Sequence, residues 1–435
     1  MRAREFGRLD RAGLAYLDFV GSGLYAESQL RAHQALLARQ VFGNPHSENG
    51  PSLSSTALLD GARARILRFL QADPEEYVVI FTANATGAIK LVAESFPFAP
   101  GGHCVLTADN HNSVNGLREY AARAGAAVHY LPLDADLRLA DPSAGLPAPT
   151  AGTPSLLAYP AQSNFSGVRH PLALIEAAQA RGYEVLLDAA ALLPTARLSL
   201  ARYHPAFVPV SFYKLFGYPT GVGALVARRD ALVGLRRPWF SGGTVEYVSV
   251  AHGLHQLRSL AAGYEDGTPN FLDIGALAAG FALLERVGMA RISLHVRRLA
   301  VELLDGLRSL THRDGSPLVA LYGPREFRDR GATVVFNVVD RSGRAAPFAR
   351  VIARARDQNV ALRGGCFCDP GASEVAFRFP AERSRRCLET GGRDFRIERF
   401  AECLGPEVAV GGVRASLGLA SNAEDVRRAI AVVAS

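Results

Sequence analysis

From about residue 76 the sequence alternates short apolar runs with stretches whose apolar residues recur at helical spacing. A continuous apolar run is typical of a strand that is covered on both faces, and the intervening amphipathic helices would provide that cover. The pattern predicts an α/β fold with a mostly parallel central sheet. The strand-like runs are 78–82, 104–107, 127–131, 156–159, 184–187, 207–211 and 223–226, with helices at 85–96, 114–124 and 172–181.

The pattern changes near residue 290. Two long helices are predicted at 273–288 and 292–311. We expect a large domain of residues 25–289 and a smaller α+β domain made of residues 1–24 and 290–435. The Pro-rich stretch 141–153 is predicted to be an exposed connection. The smaller domain would contain strands at 332–339, 361–363 and 412–417 and helices at 347–358 and 423–433.

The distribution of charge argues against a nucleic-acid partner. The 435 residues include 48 Lys plus Arg and 41 Asp plus Glu, a formal net charge of +7. The basic residues are scattered, whereas a nucleic-acid surface needs a contiguous basic face. No apolar run reaches the ~18 residues of a membrane span, and the first residues contain no apolar core of a secretory signal. We therefore expect a cytoplasmic protein with no membrane partner.

Five cysteines in a chain of this kind predict reduced thiols rather than a disulfide framework. Cys366 and Cys368 have the wrong spacing for a zinc pair, and no second cysteine or histidine pair accompanies them. No metal site is expected. Cys104, Cys387 and Cys403 are interpreted as small hydrophobic residues without a chemical role.

Small polar or reactive residues follow several predicted strands. In an open parallel sheet, ligands bind at the carboxyl ends of the strands. Ala85 and Thr86 begin a helix whose free backbone amides form a natural phosphate site. Asp188 follows a buried strand, where a carboxylate needs a positive partner or hydrogen-bond donors. A protonated ring nitrogen would be such a partner, and a helix cap or a salt bridge is the other interpretation.

Lysine occurs only at Lys90 and Lys214, so 46 of the 48 basic residues are arginine. Lys90 lies within a predicted amphipathic helix and is expected at the surface. Lys214 follows Ser211 among aromatic residues and glycines, surroundings that lower the pKa of an amine and suit a Schiff-base lysine. Asp188 followed by Lys214 matches the logic of pyridoxal phosphate enzymes, which need a carboxylate for the pyridine nitrogen and a lysine for the aldehyde.

These motifs resemble those of fold-type I pyridoxal phosphate enzymes of the class V aminotransferase superfamily. Within it, the chain is similar to the cysteine-desulfurase-like domain of molybdenum cofactor sulfurases. The resemblance covers nearly the whole chain and implies a homodimeric fold-type I transferase. It is carried in the family's order by the segments 43–47 (GNPHS), 84–86 (NAT), 109–114 (DNHNSV), 159–167 (YPAQSNFSG), 211–223 (SFYKLFGYPTGVG), 265–270 (EDGTPN), 362–368 (LRGGCFC) and 413–418 (VRASLG).

The resemblance also implies roles for individual residues. Lys214 falls where the family holds pyridoxal 5'-phosphate covalently, Asp188 where a carboxylate meets the ring nitrogen, and His111 where a histidine stacks on the ring and moves protons. Arg414 matches the arginine that binds the substrate carboxylate, a task that suits a planar two-donor group. Arg363 and Asn164 would be near the substrate. The further cofactor contacts implied are Ala85, Thr86, Asn164, Ser211, Tyr213 and Thr268, the last of which would reach the phosphate of the partner subunit.

The cysteine loop indicates the reaction. Alignment of the Arg-x-Gly spacing with desulfurases places the persulfide-forming cysteine at Cys368, and Cys366 is interpreted as passive. The sequence leaves open which of the two carries the persulfide. A mobile loop suits a nucleophile that reaches bound substrate and then presents the product outward. The resemblance thus implies a desulfurase that converts L-cysteine to L-alanine, with Lys214, Cys368 and His111 as catalytic residues. We expect a separate protein or small molecule to accept the sulfur, since these residues include no counterpart of the C-terminal cofactor-binding domain of eukaryotic sulfurases.

Two alternatives stay open at this point. Lyases, aminotransferases and epimerases that act on another amino acid use the same cofactor residues, and only the cysteine loop favours desulfuration. The second alternative is a scaffold without cofactor, or a sulfur-carrier binding module, against which the surroundings of Lys214 argue.

Overall fold

A computed structural model of the chain describes residues 1–140 and 145–435. Residues 141–144 of the predicted connection 141–153 lie outside the described residues. The strands β1 to β15 are Ala15–Tyr16, Tyr77–Thr82, His103–Thr107, Ala127–Leu131, Ser155–Pro160, Tyr183–Asp188, Phe207–Ser211, Gly223–Arg228, Val245–Ser249, Leu254–Leu257, Val319–Tyr322, Thr333–Val338, Val360–Ala361, Arg363–Gly365 and Gly412–Ser416.

Helices surround these strands. Two short 3-10 helices are Leu260–Gly263 and Gly392–Asp394. Of the helices in the described ranges, none is long and apolar enough to cross a membrane. The helices α1 to α17 are Arg2–Glu5, Gly7–Arg11, Glu27–Arg39, Gly50–Phe69, Ala85–Ser95, Asn112–Asn115, Leu117–Arg123, Leu174–Gln179, Phe212–Phe216, Arg229–Gly234, Phe271–Val287, Met289–Arg308, Phe348–Asp357, Pro370–Ala376, Ala381–Gly391, Ile397–Leu404 and Ala423–Ala434.

The central sheet confirms the predicted, mostly parallel arrangement. Its seven strands have the order β2-β8-β7-β6-β5-β3-β4. β3 pairs in parallel with both β4 and β5, β5 with β6, and β6 with β7. β8 runs antiparallel to both β2 and β7. Alternate residues of β5 enter different apolar cores: Leu157 and Tyr159 join one, and Leu156 and Ala158 join the other. Both faces of the sheet are therefore covered, which explains why its strands read as continuous apolar runs.

Helix α5 shows how a local signal places a helix on this sheet. Oδ1 of Asn84 accepts a hydrogen bond from the amide of Gly87 at 2.9 Å and so caps the first turn. Ile89 and Val92 face the apolar core. Lys90 lies on the opposite side with 63% of its side chain exposed, and it pairs with Glu94. The predicted surface position of Lys90 is confirmed.

The C-terminal part of the chain contains an antiparallel sheet with the order β11-β12-β15-β14. Its register places Arg363 of β14 directly opposite Arg414 of β15. The N-terminal segment lies along the same region, because β1 pairs in parallel with β13 and Asp18 bridges to Ser416. The predicted strand 361–363 is instead two short strands, β13 and β14. The division into domains 25–289 and 1–24 plus 290–435 stays a prediction.

The prediction that all five cysteines are reduced is wrong. Cys387 of α15 and Cys403 of α16 form a disulfide whose Cα atoms are 5.9 Å apart. The two helices pack around Cys387, Phe400 and Leu404, which brings together two cysteines that are 16 residues apart in sequence. Sequence periodicity did not reveal these helices, so their cysteines could not be paired from the sequence. Cys104, Cys366 and Cys368 are free thiols, and Cys104 is buried as expected.

Candidate active site

The carboxyl ends of β2, β6 and β7 meet at one edge of the central sheet. β7 ends at Ser211, opposite Gly223 of β8, and Gly223 in turn pairs with Thr82 at the end of β2. β6 ends at Asp188, opposite Pro160 of β5. The residues that follow these strands line one cavity of about 140 Å³.

Most of the site residues predicted from the sequence line this cavity. Four do not: Arg363, Cys368, Arg414 and Thr268. Thr268 is exposed, and its hydroxyl accepts a hydrogen bond from Nδ2 of Asn44 at 3.3 Å. Gln162 and Ser113 line the cavity but were not predicted, although both lie inside motifs that had been recognised. The predicted residues that line it are Ala85, Thr86, His111, Asn164, Asp188, Ser211, Tyr213 and Lys214.

Lys214 is a desolvated amine at the cavity. It lies in the short helix α9 directly after β7, and its neighbours Phe212, Leu215 and Phe216 are buried. Removal from water lowers the pKa of Lys214, and the charge of Asp188 opposes this shift. A lowered pKa increases the fraction of neutral, nucleophilic amine near neutral pH.

Asp188 is 9% exposed at the end of β6. Its Oδ1 accepts a hydrogen bond from the backbone amide of Ala190 at 2.9 Å. Across the described ranges no cation lies within ion-pair distance of its carboxylate, so the salt-bridge interpretation is not supported there. The carboxylate lines the cavity, where a cationic ligand group could balance it.

His111 has a defined orientation. Its Nδ1 accepts a hydrogen bond from the backbone amide of Ser113 at 3.1 Å. Because Nδ1 is an acceptor, the neutral ring carries its proton on Nε2. Burial lowers the pKa of His111, and the charge of Lys214 acts in the same direction while that of Asp188 opposes it. The ring is therefore neutral near pH 7 and presents an N–H donor at Nε2.

Hydroxyl groups gather at the N-terminus of α5. The hydroxyl of Ser211 accepts a hydrogen bond from the amide of Ala85 at 2.8 Å. The hydroxyls of Thr86 and Ser113 are 2.8 Å apart. Three hydroxyls beside the positive end of an 11-residue helix form a site that suits a phosphate group.

Arg414 and Arg363 share one carboxylate, that of Asp18. Arg414 donates from Nη2 to Oδ1 of Asp18 at 3.0 Å and from Nη1 to the carbonyl of Asn164 at 2.9 Å. Arg363 donates from Nε to both oxygens of Asp18 at 3.1 and 2.9 Å. Arg414 is almost fully buried, and its Nε has no partner among the residues described. Asp18 was not predicted, although a carboxylate directly after a buried apolar residue, Leu17, is the signal that singled out Asp188.

The cysteine loop is held against the cavity from two sides. Nδ2 of Asn164 donates to the carbonyl of Phe367 at 2.8 Å. The amide of Asn112, next to His111, donates to the carbonyl of Cys368 at 2.7 Å. Phe367 and Cys368 both have left-handed backbone, with φ of 58° and 57°, while the Cys368 side chain is exposed. The loop predicted to be mobile is therefore anchored through its backbone, and Cys368 is carried at the edge of the site.

Residues 15–429 match the family described as aminotransferase class-V. The chain belongs to the class-V aminotransferase family. It is 37% identical to the molybdenum cofactor sulfurase of Bos taurus over 98% of this chain and 50% of that protein. Molybdenum cofactor sulfurase 2 of Culex quinquefasciatus is 38% identical over 99% of this chain and 57% of that protein. The chain thus spans about half the length of the curated relatives it matches.

Solved structures share the fold of this class-V chain. An apo cysteine desulfurase from Thermococcus onnurineus has a TM-score of 0.82 at 24% identity, covering 100% of this chain and 96% of that chain. The cysteine desulfurase CsdA from Escherichia coli has a TM-score of 0.78 at 22% identity, covering 99% and 96%. The cystine C–S lyase C-DES, in complex with cysteine persulfide, has a TM-score of 0.74 at 19% identity, covering 99% of each chain. The predicted fold-type I architecture is confirmed.

The residues of the cavity fit pyridoxal phosphate, the cofactor that the class-V family implies. One structural neighbour, a C-DES variant, contains this cofactor with glycine covalently linked to it. Here the desolvated Lys214 amine suits the aldehyde, and the Asp188 carboxylate, which has no cation partner in the described ranges, suits a protonated ring nitrogen. The hydroxyls of Thr86 and Ser211 suit the phosphate. No group of three or more metal-ligating side chains occurs within residues 1–140 and 145–435.

Proposed function

We propose that this chain is a pyridoxal phosphate-dependent cysteine desulfurase that converts L-cysteine to L-alanine and leaves a persulfide on Cys368. One observation carries the proposal: the cysteine loop is bonded to residues on both sides of the cavity that contains Lys214. Asn112 and Asn164 form these bonds. A free, exposed thiol next to a desolvated amine is the arrangement that sulfur abstraction from an amino acid needs.

The comparisons support this choice of reaction. The full-length relatives are named molybdenum cofactor sulfurases, and two structural neighbours are named cysteine desulfurases. Cys366 precedes Cys368 in the same loop and is less exposed, so we assign the nucleophile to Cys368.

The cofactor would be held by the residues that line the cavity. Lys214 would bind it covalently, Asp188 would keep its ring nitrogen protonated, and the ring of His111 would lie against it. Ala85, Thr86, Ser211 and Tyr213 would hold the phosphate end, and Asn164 would reach the phenolic oxygen. When bound, pyridoxal phosphate supplies an acceptor for the electrons released at the substrate Cα, which no side chain of the chain provides.

The protein's own groups would bind and orient the substrate. The guanidinium group of Arg414 would bind its carboxylate, for which the unpartnered Nε is available. Arg363 stands on the opposite strand and shares Asp18, so it would keep Arg414 aligned. The neutral amine of Lys214 would remove the proton at Cα as general base.

The sulfur step needs only the substrate and one thiol. The thiolate of Cys368 attacks the substrate sulfur, forming an S–S bond while the substrate Cβ–S bond breaks. Two protons return to the carbon skeleton, at Cβ and Cα, before it leaves as alanine: the one that Lys214 removed and the one released when the Cys368 thiol became the thiolate. The products are L-alanine and a Cys368 persulfide, so atoms and electrons balance without another reactant.

We further propose that the active form is a homodimer. Thr268 does not line the cavity of its own chain, and it is exposed. The amide of Gly267, next to Thr268, bonds the carbonyl of Gly242 at 2.8 Å, three residues before the β9–β10 hairpin starts at Val245. Tyr247 and Val250 on this hairpin are 69% and 94% exposed. An exposed apolar edge beside Thr268 is what an interface with a second copy needs. From there Thr268 would reach the partner's phosphate.

The exposed position of Cys368 also suits onward transfer of sulfur. A persulfide on this side chain could be attacked from outside by a thiol of an acceptor protein or by a small molecule. The acceptor is expected to approach the side of the site where the loop lies.

The test is a product analysis with matched variants. Protein loaded with pyridoxal phosphate is incubated with L-cysteine; alanine and pyruvate are quantified, and mass spectrometry locates any added sulfur. We expect alanine and a persulfide on Cys368. The Cys368→Ala variant should release no sulfur, whereas Cys366→Ala should keep the activity. Pyruvate with ammonia in place of alanine would identify a lyase. If Cys368→Ala released as much sulfur as the wild type, the persulfide step would be refuted.

A further inference from the structure

Two buried acids beside the active site have no part in the reaction steps above. Asp369 directly follows Cys368, and Asp109 lies two residues before His111. Both side chains are completely buried, with 0% exposure. A buried carboxylate is costly unless it is paired or hydrogen-bonded, so the arrangement of these two groups needs a physical explanation.

Each acid has one oxygen bonded and one oxygen without a partner. Oδ2 of Asp109 is 2.6 Å from Nε2 of the buried His170. Oδ1 of Asp369 accepts a hydrogen bond from the amide of Ala372 at 3.2 Å, at the start of α14. Within the described ranges, Oδ1 of Asp109 and Oδ2 of Asp369 have no hydrogen-bond partner. One proton shared between these two oxygens would satisfy both.

The backbone on either side of the two acids is in contact. The amide of Asn112 donates to the carbonyl of Cys368 at 2.7 Å. Gly371 lies so close to Ala108 that a Cβ on the glycine would be 2.1 Å from the Ala108 carbonyl oxygen. Both acids lie between these two contacts in sequence, so they are enclosed where the two segments meet.

The surroundings favour a protonated form for one of the pair. Burial raises the pKa of Asp369 well above its usual value, and the charge of Asp109 acts in the same direction. The Ser163 hydroxyl and the guanidinium group of Arg414 oppose this shift.

We propose that Asp369 carries a proton on Oδ2 and donates a hydrogen bond from it to Oδ1 of Asp109. This carboxyl–carboxylate bond holds the cysteine loop against residues 108–112, the His111 turn. Asp369 and Asp109 are then positioning residues that set where Cys368 stands. The link to catalysis rests on the proposed function, whereas the bond itself does not.

The bond depends on pH in a defined direction. Because folding raises the pKa of Asp369 above its unfolded value, the stabilisation is complete at low pH and is lost as the pH rises through the folded-state pKa. Above that pH, two negative charges would face each other in a buried space. The loop should then separate from the His111 turn.

Asp369→Asn is the decisive variant. An amide presents an N–H to Asp109 at every pH, and Asn caps a helix as well as Asp does. Hydrogen exchange of the cofactor-loaded protein is followed by mass spectrometry from about pH 6 to about pH 10, corrected for the intrinsic exchange rate. We expect protection of peptides covering 108–116 and 366–376 to fall by about tenfold or more in the wild type as the pH rises, but to stay constant in Asp369→Asn. Asp357→Asn, at an exposed acid of α13, should follow the wild type.

Activity provides the second measurement. Asp369→Ala should lower kcat for alanine formation by about tenfold with little change in KM, because the nucleophile is misplaced while the substrate still binds. Asp369→Asn should keep kcat at neutral pH and extend activity to higher pH. If neither the wild type nor the variants make alanine, but protection falls with pH in the wild type and stays constant in Asp369→Asn, the proposed function fails and the carboxyl bond stands. If Asp369→Asn loses protection with pH as the wild type does, or is already unprotected at neutral pH, the bond is refuted.

Discussion

Replacing Asp18 by Asn tests the ion pairs that Asp18 forms with Arg414 and Arg363. The side chain of Arg414 is 3% exposed and that of Asp18 14%, so the ion pair between them is buried. Removing one partner of a buried pair costs roughly 3–5 kcal/mol, because the other charge is left uncompensated. Asn keeps one oxygen for Arg414, and Arg363 is half exposed, so we expect a smaller loss of about 2–3 kcal/mol.

Thermal unfolding measures this cost. At roughly 2–4 °C per kcal/mol for domains of this size, Asp18→Asn should lower the melting temperature by about 4–12 °C. The matched control is Asp357→Asn, which removes an acid from an exposed pair with Arg356 at 3.6 Å. The control should change stability by less than about 0.5 kcal/mol.

The kinetic consequence distinguishes positioning from general stability. Without the Asp18 carboxylate, Arg414 and Arg363 repel each other and Arg414 loses its fixed orientation. We expect KM for L-cysteine to rise by about tenfold while kcat falls less, since substrate binding is the step affected. An unchanged melting temperature, or a shift no larger than that of Asp357→Asn, would show that the carboxylate does not stabilise the arginine pair.

Five further substitutions have defined outcomes. Lys214→Ala protein that has been loaded with pyridoxal phosphate and treated with borohydride should carry no covalent cofactor by mass spectrometry; a retained adduct would contradict the assignment. After reaction with L-cysteine, Cys368→Ala should show no persulfide, and Cys366→Ala should show it at wild-type level. Gly217→Ala should lower stability by more than about 1 kcal/mol in thermal unfolding, since φ is 79° and a Cβ would lie 2.2 Å from the backbone of Leu24. Gly61→Ala in α4, where nothing lies within 4 Å, should raise stability by up to about 1 kcal/mol.

Strands β6 and β7, at whose ends Asp188 and Lys214 lie, were predictable because each is marked by a local run of apolar residues. The apolar runs before Asp188 and Lys214 correspond to β6 and β7, and each run falls within an observed strand. Chain order and the rule that ligands bind at carboxyl ends of parallel strands were then enough to place both residues at one cavity. The antiparallel direction of β8 was not predicted, since an apolar run looks the same in either direction.

Other elements carried too weak a pattern to be predicted. Helices α15 and α16 are short and mostly exposed, so no long apolar stripe marks them. Cys387 and Cys403 form a disulfide, whereas the odd number of cysteines and the lack of an apolar signal core in the sequence predict reduced thiols. The hairpin of β9 and β10 was missed because its exposed residues mix apolar and polar side chains, so neither strand shows a clean alternation.

The sequence by itself determined the α/β class, the family resemblance and the residues at the strand ends, because periodicity and motif spacing are properties of neighbouring residues. Only the tertiary structure decided which groups meet across the chain. Arg414 bonds Asp18 although 396 residues separate them, and the amide of Asn112 bonds the carbonyl of Cys368 between two loops that are distant in sequence. Such pairs form because the N-terminal segment runs along the small sheet and the cysteine loop rests on the His111 turn. The energy of a buried charge depends on that packing, which no local pattern contains.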